Sequence, residues 1–198
     1  QPIVQDNQVI LEEDALETIT ENGTVIIDLN ESADLTLIEI VLSSEQVKEL
    51  KAKNAVLRIE KGDVSLEIPA SVFTNGDEAV TIVIDRLDAV PNALSNVYDF
   101  SITQGNQRIS EFEDAITLIF ETDATKIESE ENVKLFYLNE TDNLWEVVGG
   151  NYKNGKISAG TNHFSTFAVF ELETSAGDEN EKGVLGDQNT IDRANGSN

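Results

Sequence analysis

From Thr24 to Phe170 the sequence is a succession of short apolar runs, each closed by a cluster of Gly, Asn, Asp or Pro. That punctuation restricts the fold more than any other feature. A strand needs only a short run bounded by turn residues, whereas a helix needs a sustained helical period. Leu16–Ile19 and Thr24–Leu29 flank Glu21-Asn22-Gly23, and Asn-Gly predicts a hairpin between them. Leu35–Leu42 is apolar enough to predict burial on both faces. Ala55–Glu60 and Val64–Ile68 lie around Lys61-Gly62-Asp63 and end at Pro69, which has no N–H to give to a ladder. Ala79–Ile84, Val97–Thr103, Ala115–Glu121, Val133–Leu138 and Trp145–Val148 continue the series. A second Asn-Gly pair, Asn154-Gly155, leads through Ile157 into Thr161–Phe170.

One stretch breaks the pattern. Ser43-Ser44-Glu45-Gln46 has the form of a capping box, and Val47 and Leu50 follow at helical spacing, so a single short helix is expected over about 43–53. The expected fold class is all-β, an antiparallel β-sandwich or two stacked β-units with that one helix. Residues 1–15 read as a lead-in arm with a short strand at Val9-Ile10-Leu11. Residues 16–62 read as an N-terminal β-unit carrying the helix, and 63–173 as a β-sandwich. Within 174–198 only Val184, Leu185 and Ile191 interrupt Gly, Asn and acidic residues. So little apolar surface does not offset the entropy of ordering, and the segment reads as a flexible acidic tail or linker.

Charge then narrows the partners. Against 38 acidic side chains stand 13 basic ones, a net charge of −25. Such a surface repels phosphate, so neither nucleic acid nor an anionic membrane is an expected partner. No run approaches the roughly eighteen apolar residues of a membrane span, so no membrane insertion is expected. The sequence begins Gln1-Pro2-Ile3-Val4-Gln5, without a basic region before an apolar one, so a signal peptide is expected to be either removed or never present. There is no cysteine, hence no disulfide, thiolate metal site or cysteine nucleophile. An acidic, cysteine-free chain rich in Thr and Asn suits an exported bacterial surface protein, and is also compatible with a cytosolic one.

Several strings carry a resemblance. Val64-Ser65-Leu66-Glu67-Ile68-Pro69-Ala70-Ser71-Val72-Phe73, then Tyr137-Leu138, Trp145 and Thr161-Asn162-His163-Phe164-Ser165, resemble the ZU-type β-sandwich of ankyrins and netrin receptors. Val25–Leu29, Gln46–Leu50, Val97–Ile102 and Thr161–Val169 resemble more closely a β-sandwich module of exported Gram-positive surface proteins, one often found next to S-layer-homology repeats. The resemblance covers roughly residues 24–171 and makes 63–173 a ZU-like sandwich. It implies an extracellular, non-catalytic module of a larger cell-surface or cell-wall protein, a scaffold, stalk or adhesion unit. Its partners would be neighbouring domains and a cell-wall polymer or glycan, and no cofactor is implied. After Phe170 the chain departs from the pattern: an acidic stretch stands where an S-layer-homology repeat would follow, so attachment through such repeats is not expected within this chain.

The same resemblance raises one reaction. In self-cleaving ZU-type domains the serine of His-Phe-Ser attacks the carbonyl before it. Transposed here, Ser165 Oγ would attack the Phe164 carbonyl and give an ester by N-to-O acyl shift, which water then hydrolyses. His163, the only histidine, would take the proton if it shared a strand face with Ser165. The structural alternative packs Phe164, Ala168 and Phe170 on one face and Phe167 and Val169 on the other, with His163 bonded locally to Thr161. Glycan binding would need exposed aromatics, for which Trp145 and Tyr152 are the leading candidates and Tyr137 and Tyr98 the others, although all four fit core or edge spacing. Asp178-Glu179-Asn180-Glu181-Lys182-Gly183 imitates the start of a calcium loop. It puts Lys182 and Asn189 where ligands belong, so no metal site is expected. Asn-x-Ser/Thr sequons at Asn22, Asn30, Asn139 and Asn195 matter only where the host glycosylates.

Overall fold

The apolar runs become strands. The structure is a computed structural model that describes residues 2–173; the expected tail at 174–198, with the calcium-like string inside it, lies outside the described residues. Among the described residues the chain is all-β with one α-helix, and its strands form two mixed sheets in a sandwich-like fold. It divides into two compact units with interleaved segments. The first takes the chain up to Asp85, then Asp99–Leu118 and Gly160–Phe164; the second takes Arg86–Tyr98, Ile119–Ala159 and the chain from Ser165. This division differs from the expected cut between residues 62 and 63, because the strands on either side of that point are paired with one another.

In the first unit the arm folds as two strands, β1 (Ile3–Gln5) and β2 (Gln8–Ile10), paired antiparallel. Two further strands are β3 (Thr24–Asp28) and β4 (Leu37–Leu42). β2 pairs with β4 in parallel, so the sheet is mixed rather than purely antiparallel. Ile38, Ile40 and Leu42 of β4 are buried while Leu37, Glu39 and Val41 are half-buried, so the strand buries one face fully rather than both. The helix α1 (Ser44–Ala52) starts at the expected capping box: Ser43 Oγ accepts from Gln46 N–H at 3.1 Å and Gln46 Oε1 accepts from Ser43 N–H at 2.9 Å. It buries Val47 and Leu50, and Gln46 Nε2 donates to the Glu12 carbonyl at 2.9 Å.

β5 (Val56–Lys61) and β6 (Val64–Pro69) form the expected hairpin around Gly62. Gly62 has φ +62°, and a Cβ there would lie 2.9 Å from the Ala33 Cβ, so both conformation and space require glycine. The hairpin expected at Asn22-Gly23 does not form. Residues 16–18 are turn rather than strand, with Ala15 N–H donating to Glu12 O and Glu17 N–H to Asp14 O. β3 instead pairs in parallel with β5, Ile26 opposite Arg58. Asn22 takes φ 58° and donates its N–H to Lys53 O at 2.7 Å, which ties the turn to the helix exit.

β7 (Val80–Leu87), β8 (Val97–Gln104), β9 (Gln107–Arg108) and β10 (Glu111–Glu121) follow. Within the first unit one sheet then runs β1–β2–β4–β7–β8, with β9 on β8, and the other runs β3–β5–β6–β10. The second unit contains β11 (Val133–Asn139), β12 (Leu144–Gly149), β13 (Asn151–Lys153), most of β14 (Lys156–His163) and β15 (Thr166–Glu171). β15 and β12 flank β11, both antiparallel to it. Val97, Phe136, Trp145, Ala168 and Phe170 form a core there.

Candidate functional site

The stretch singled out for chemistry lies between the last two strands. Asn154 (φ 55°) and Gly155 (φ 82°) both sit in the left-handed region, as a type I′ turn demands, and turn β13 into β14. β14 ends at His163 and β15 begins at Thr166, so Phe164 and Ser165 belong to neither ladder. The pleat is interrupted there, and the expectation that His163 and Ser165 project from one strand face does not hold.

Thr161, Asn162, His163 and Phe164 each have their own support. The Thr161 hydroxyl donates to the His163 carbonyl at 2.8 Å and accepts the His163 N–H at 3.3 Å, the local bond expected of this pair. Phe164 N–H donates to Ser110 O at 3.3 Å. Its ring lies 5.1 Å from Phe112, edge-on, and 5.5 Å from Phe100. Asn162 Nδ2 donates to Phe112 O at 3.0 Å. Phe164 therefore packs in the first unit, whereas Ala168 and Phe170 pack in the second, so the three do not share one sheet face. Among the described residues, the non-glycines with positive φ are Asp6, Asn22, Asn54, Asn92, Asn143 and Asn154. None is in the His-Phe-Ser string, so its φ angles hold none of the backbone strain that would drive an acyl shift.

The aromatic candidates separate by burial. Trp145 is 5 % exposed, its ring 5.1 Å from Phe170, and it offers no face for a sugar. Tyr98 is buried edge-on against Phe120 at 5.8 Å. Tyr152, on β13 opposite Ile157, is half-buried. Tyr137 is half-buried and lies opposite Glu146 across the β11–β12 pair. Its hydroxyl donates to Glu146 Oε1 at 3.0 Å, while Asn139 Nδ2 donates to Glu146 Oε2 at 2.7 Å. Burial, and then the bond to Glu146, push the Tyr137 phenol above its ordinary value. This group of a phenol, an amide and a carboxylate was not legible in the sequence, because Glu146 reaches Tyr137 only through the strand register.

On the outer face of β5 the Arg58 guanidinium is held by Glu60 at 2.7 Å and by Glu67. The bond to Glu60 raises its already high pKa further, against the cost of burial. Among the described residues no three His, Asp or Glu side chains converge as a metal site, and no helix is long and apolar enough to cross a membrane.

No protein-family model matches the chain. It is 34 % identical over 168 residues, 82 % of its length, to a protein of Evansella cellulosilytica whose name refers only to a membrane, and there it spans 25 % of the relative. It is 28 % identical over 178 residues, 88 % of its length, to an amylopullulanase of Thermoanaerobacterium thermosulfurigenes, spanning 8 % of that protein. It is 24 % identical over 172 residues to a trifunctional nucleotide phosphoesterase of Bacillus subtilis, spanning 11 % of it. The chain thus spans a quarter or less of the length of these curated relatives, and each similarity takes in most of the chain. It is similar to a segment of larger proteins that are named for unlike things.

Proposed function

We propose that this chain is a non-catalytic module of a larger bacterial cell-surface or exported protein, serving as scaffold, stalk or adhesion unit between neighbouring domains. The observation that carries the reading is the pattern of similarity: nearly the whole chain aligns with small segments of relatives whose names share no reaction. A segment that recurs beside different activities is accounted for by the segment rather than by any one of those activities. The strings like those of exported Gram-positive modules, the absent cysteine and the acidic surface support the same location. Protease shaving of intact cells that carry the full-length protein tests it: peptides from residues 2–173 should appear in the shaved fraction. Their appearance only after lysis would overturn the extracellular reading.

Self-cleavage is the second reading, and the position of Phe164 and Ser165 off both ladders is what keeps it in view. The supported Phe164 ring and the ordinary φ angles weigh against it. Intact mass of the denatured chain should give one species at every pH and incubation time. A pair of fragments split between Phe164 and Ser165, lost in Ser165→Ala, would establish the reaction and remove the non-catalytic reading.

A further inference from the structure

Among the described residues, the β3–β5–β6–β10 sheet is open at β3, which has β5 on one side and no strand on the other. In a parallel pair, alternate residues of a strand bond the partner while the ones between turn their main-chain groups away. Gly23 O accepts from Val56 N–H at 2.9 Å and Leu29 N–H donates to Glu60 O at 2.8 Å. The odd positions therefore serve β5, and the N–H and C=O groups of Thr24, Ile26 and Asp28 face the open edge. Ile26 is 58 % exposed, the most exposed large apolar side chain among the described residues.

Natural sheet edges are blunted by lysine, proline, a bulge or a covering segment. The β3 sequence Thr-Val-Ile-Ile-Asp has neither lysine nor proline. Two hollows that share Pro2 run beside it, one of about 230 Å³ bordered by Leu11, Leu16 and Ile26, and one of about 350 Å³ at the Asp28 end of the strand. The charged side chains lining them are Glu12, Asp28 and Glu31, with no lysine or arginine.

We propose that the open edge of β3 is a strand-addition site for an extended, lysine- or arginine-bearing peptide segment of a partner protein. Main-chain bonds to Thr24, Ile26 and Asp28 supply the affinity, the Leu11–Leu16 hollow takes an apolar side chain, and the three carboxylates select cations. A second copy of this chain is the disfavoured occupant, because it brings its own charge of −25 to the same edge. The inference is independent of the extracellular reading, since the edge is open wherever the protein resides.

The test uses the full chain and a fluorescein-labelled Lys-Val-Lys-Val-Lys-Val peptide in a polarisation titration. Ile26→Pro removes an edge N–H without touching a bond to β5, and Ile26→Lys puts a like charge at the edge. Each should weaken binding by about tenfold or more while far-UV circular dichroism stays unchanged. Hydrogen exchange at the wild-type Ile26 amide should slow when peptide is added, a readout that stands even if a variant does not fold. Equal binding by the same peptide N-methylated at alternate residues would reduce the effect to bulk charge and overturn the proposal. So would wild-type affinity in Ile26→Lys, unchanged exchange at Ile26, or a concentration-dependent dimer that Ile26→Lys dissolves, which would give the edge to a second copy.

Discussion

Phe170→Ala should destabilise the second unit by about 3–5 kcal/mol, the range for removing a buried aromatic ring from a packed core. Phe170 is 2 % exposed and packs against two other aromatics of the unit. Its ring lies 5.4 Å from Phe136 at a right angle and 5.1 Å from Trp145. Truncation removes both edge contacts and leaves a cavity in the core on one face of the β15–β11–β12 sheet, whose paired strands limit how far it can collapse. Trp145 is the only tryptophan, so its emission reports this unit alone. In Phe170→Ala the emission should shift to the red in buffer, and the urea midpoint followed by fluorescence should fall. Phe170→Leu, which keeps most of the apolar volume, should lose about 1–2 kcal/mol instead. A loss under about 0.5 kcal/mol in the alanine variant, within the range of ordinary surface changes, would mean that Phe170 does not centre this core. Trp145→Ala belongs to the same mechanism: loss of glycan binding in that variant would be read as loss of fold, and Tyr137→Phe is the better probe of a sugar site.

The sequence was most legible where a rule is local. Ser43 and Gln46 sit three residues apart and make the capping box between themselves, so the start of α1 could be read directly. The turn at Asn154-Gly155 was legible for the same reason, since both residues take the positive φ that their types allow. Asn22-Gly23 is the same dipeptide with a different outcome. Asn22 also takes positive φ, but its strand partner lies beyond the helix, and Asn54 Nδ2 donates to its side chain at 2.7 Å. A dipeptide fixes a turn and does not say which strand will lie alongside. The parallel pairs of β2 with β4 and β3 with β5 were invisible for that reason, and so was the division into units. At the candidate site, the local bond between Thr161 and His163 could be anticipated from their spacing. The strand break at Phe164 and Ser165 could not, because it follows from Phe164 seating its ring on Phe100 and Phe112, two residues far away in the chain.

Lys61→Ala should cost about 3–5 kcal/mol, as much as a large core truncation, although lysine is ordinarily a surface residue. Lys61 is 1 % exposed and ends β5 opposite Val64. Its Nζ donates to Ala33 O at 3.2 Å. The segment around Ala33 is also tied to the same hairpin by Gly62 N–H donating to Asn30 Oδ1 at 2.8 Å and by Leu29 N–H donating to Glu60 O at 2.8 Å. Lys61 is thus the buried member of a latch that holds the exit of β3 onto the β5–β6 turn. Truncation removes a long apolar stem and the ammonium donor to the half-buried Ala33 carbonyl, two costs that add. Lys61→Met separates them: it restores the stem and not the donor, and should recover about half of the loss. Chemical denaturation of the three proteins, followed by far-UV circular dichroism, gives the comparison. Full recovery in the methionine variant would make Lys61 a packing residue whose amino group is incidental. No recovery would place the whole effect on the polar head, and the latch would then be polar at its centre, in a unit whose other large buried side chains are almost all apolar.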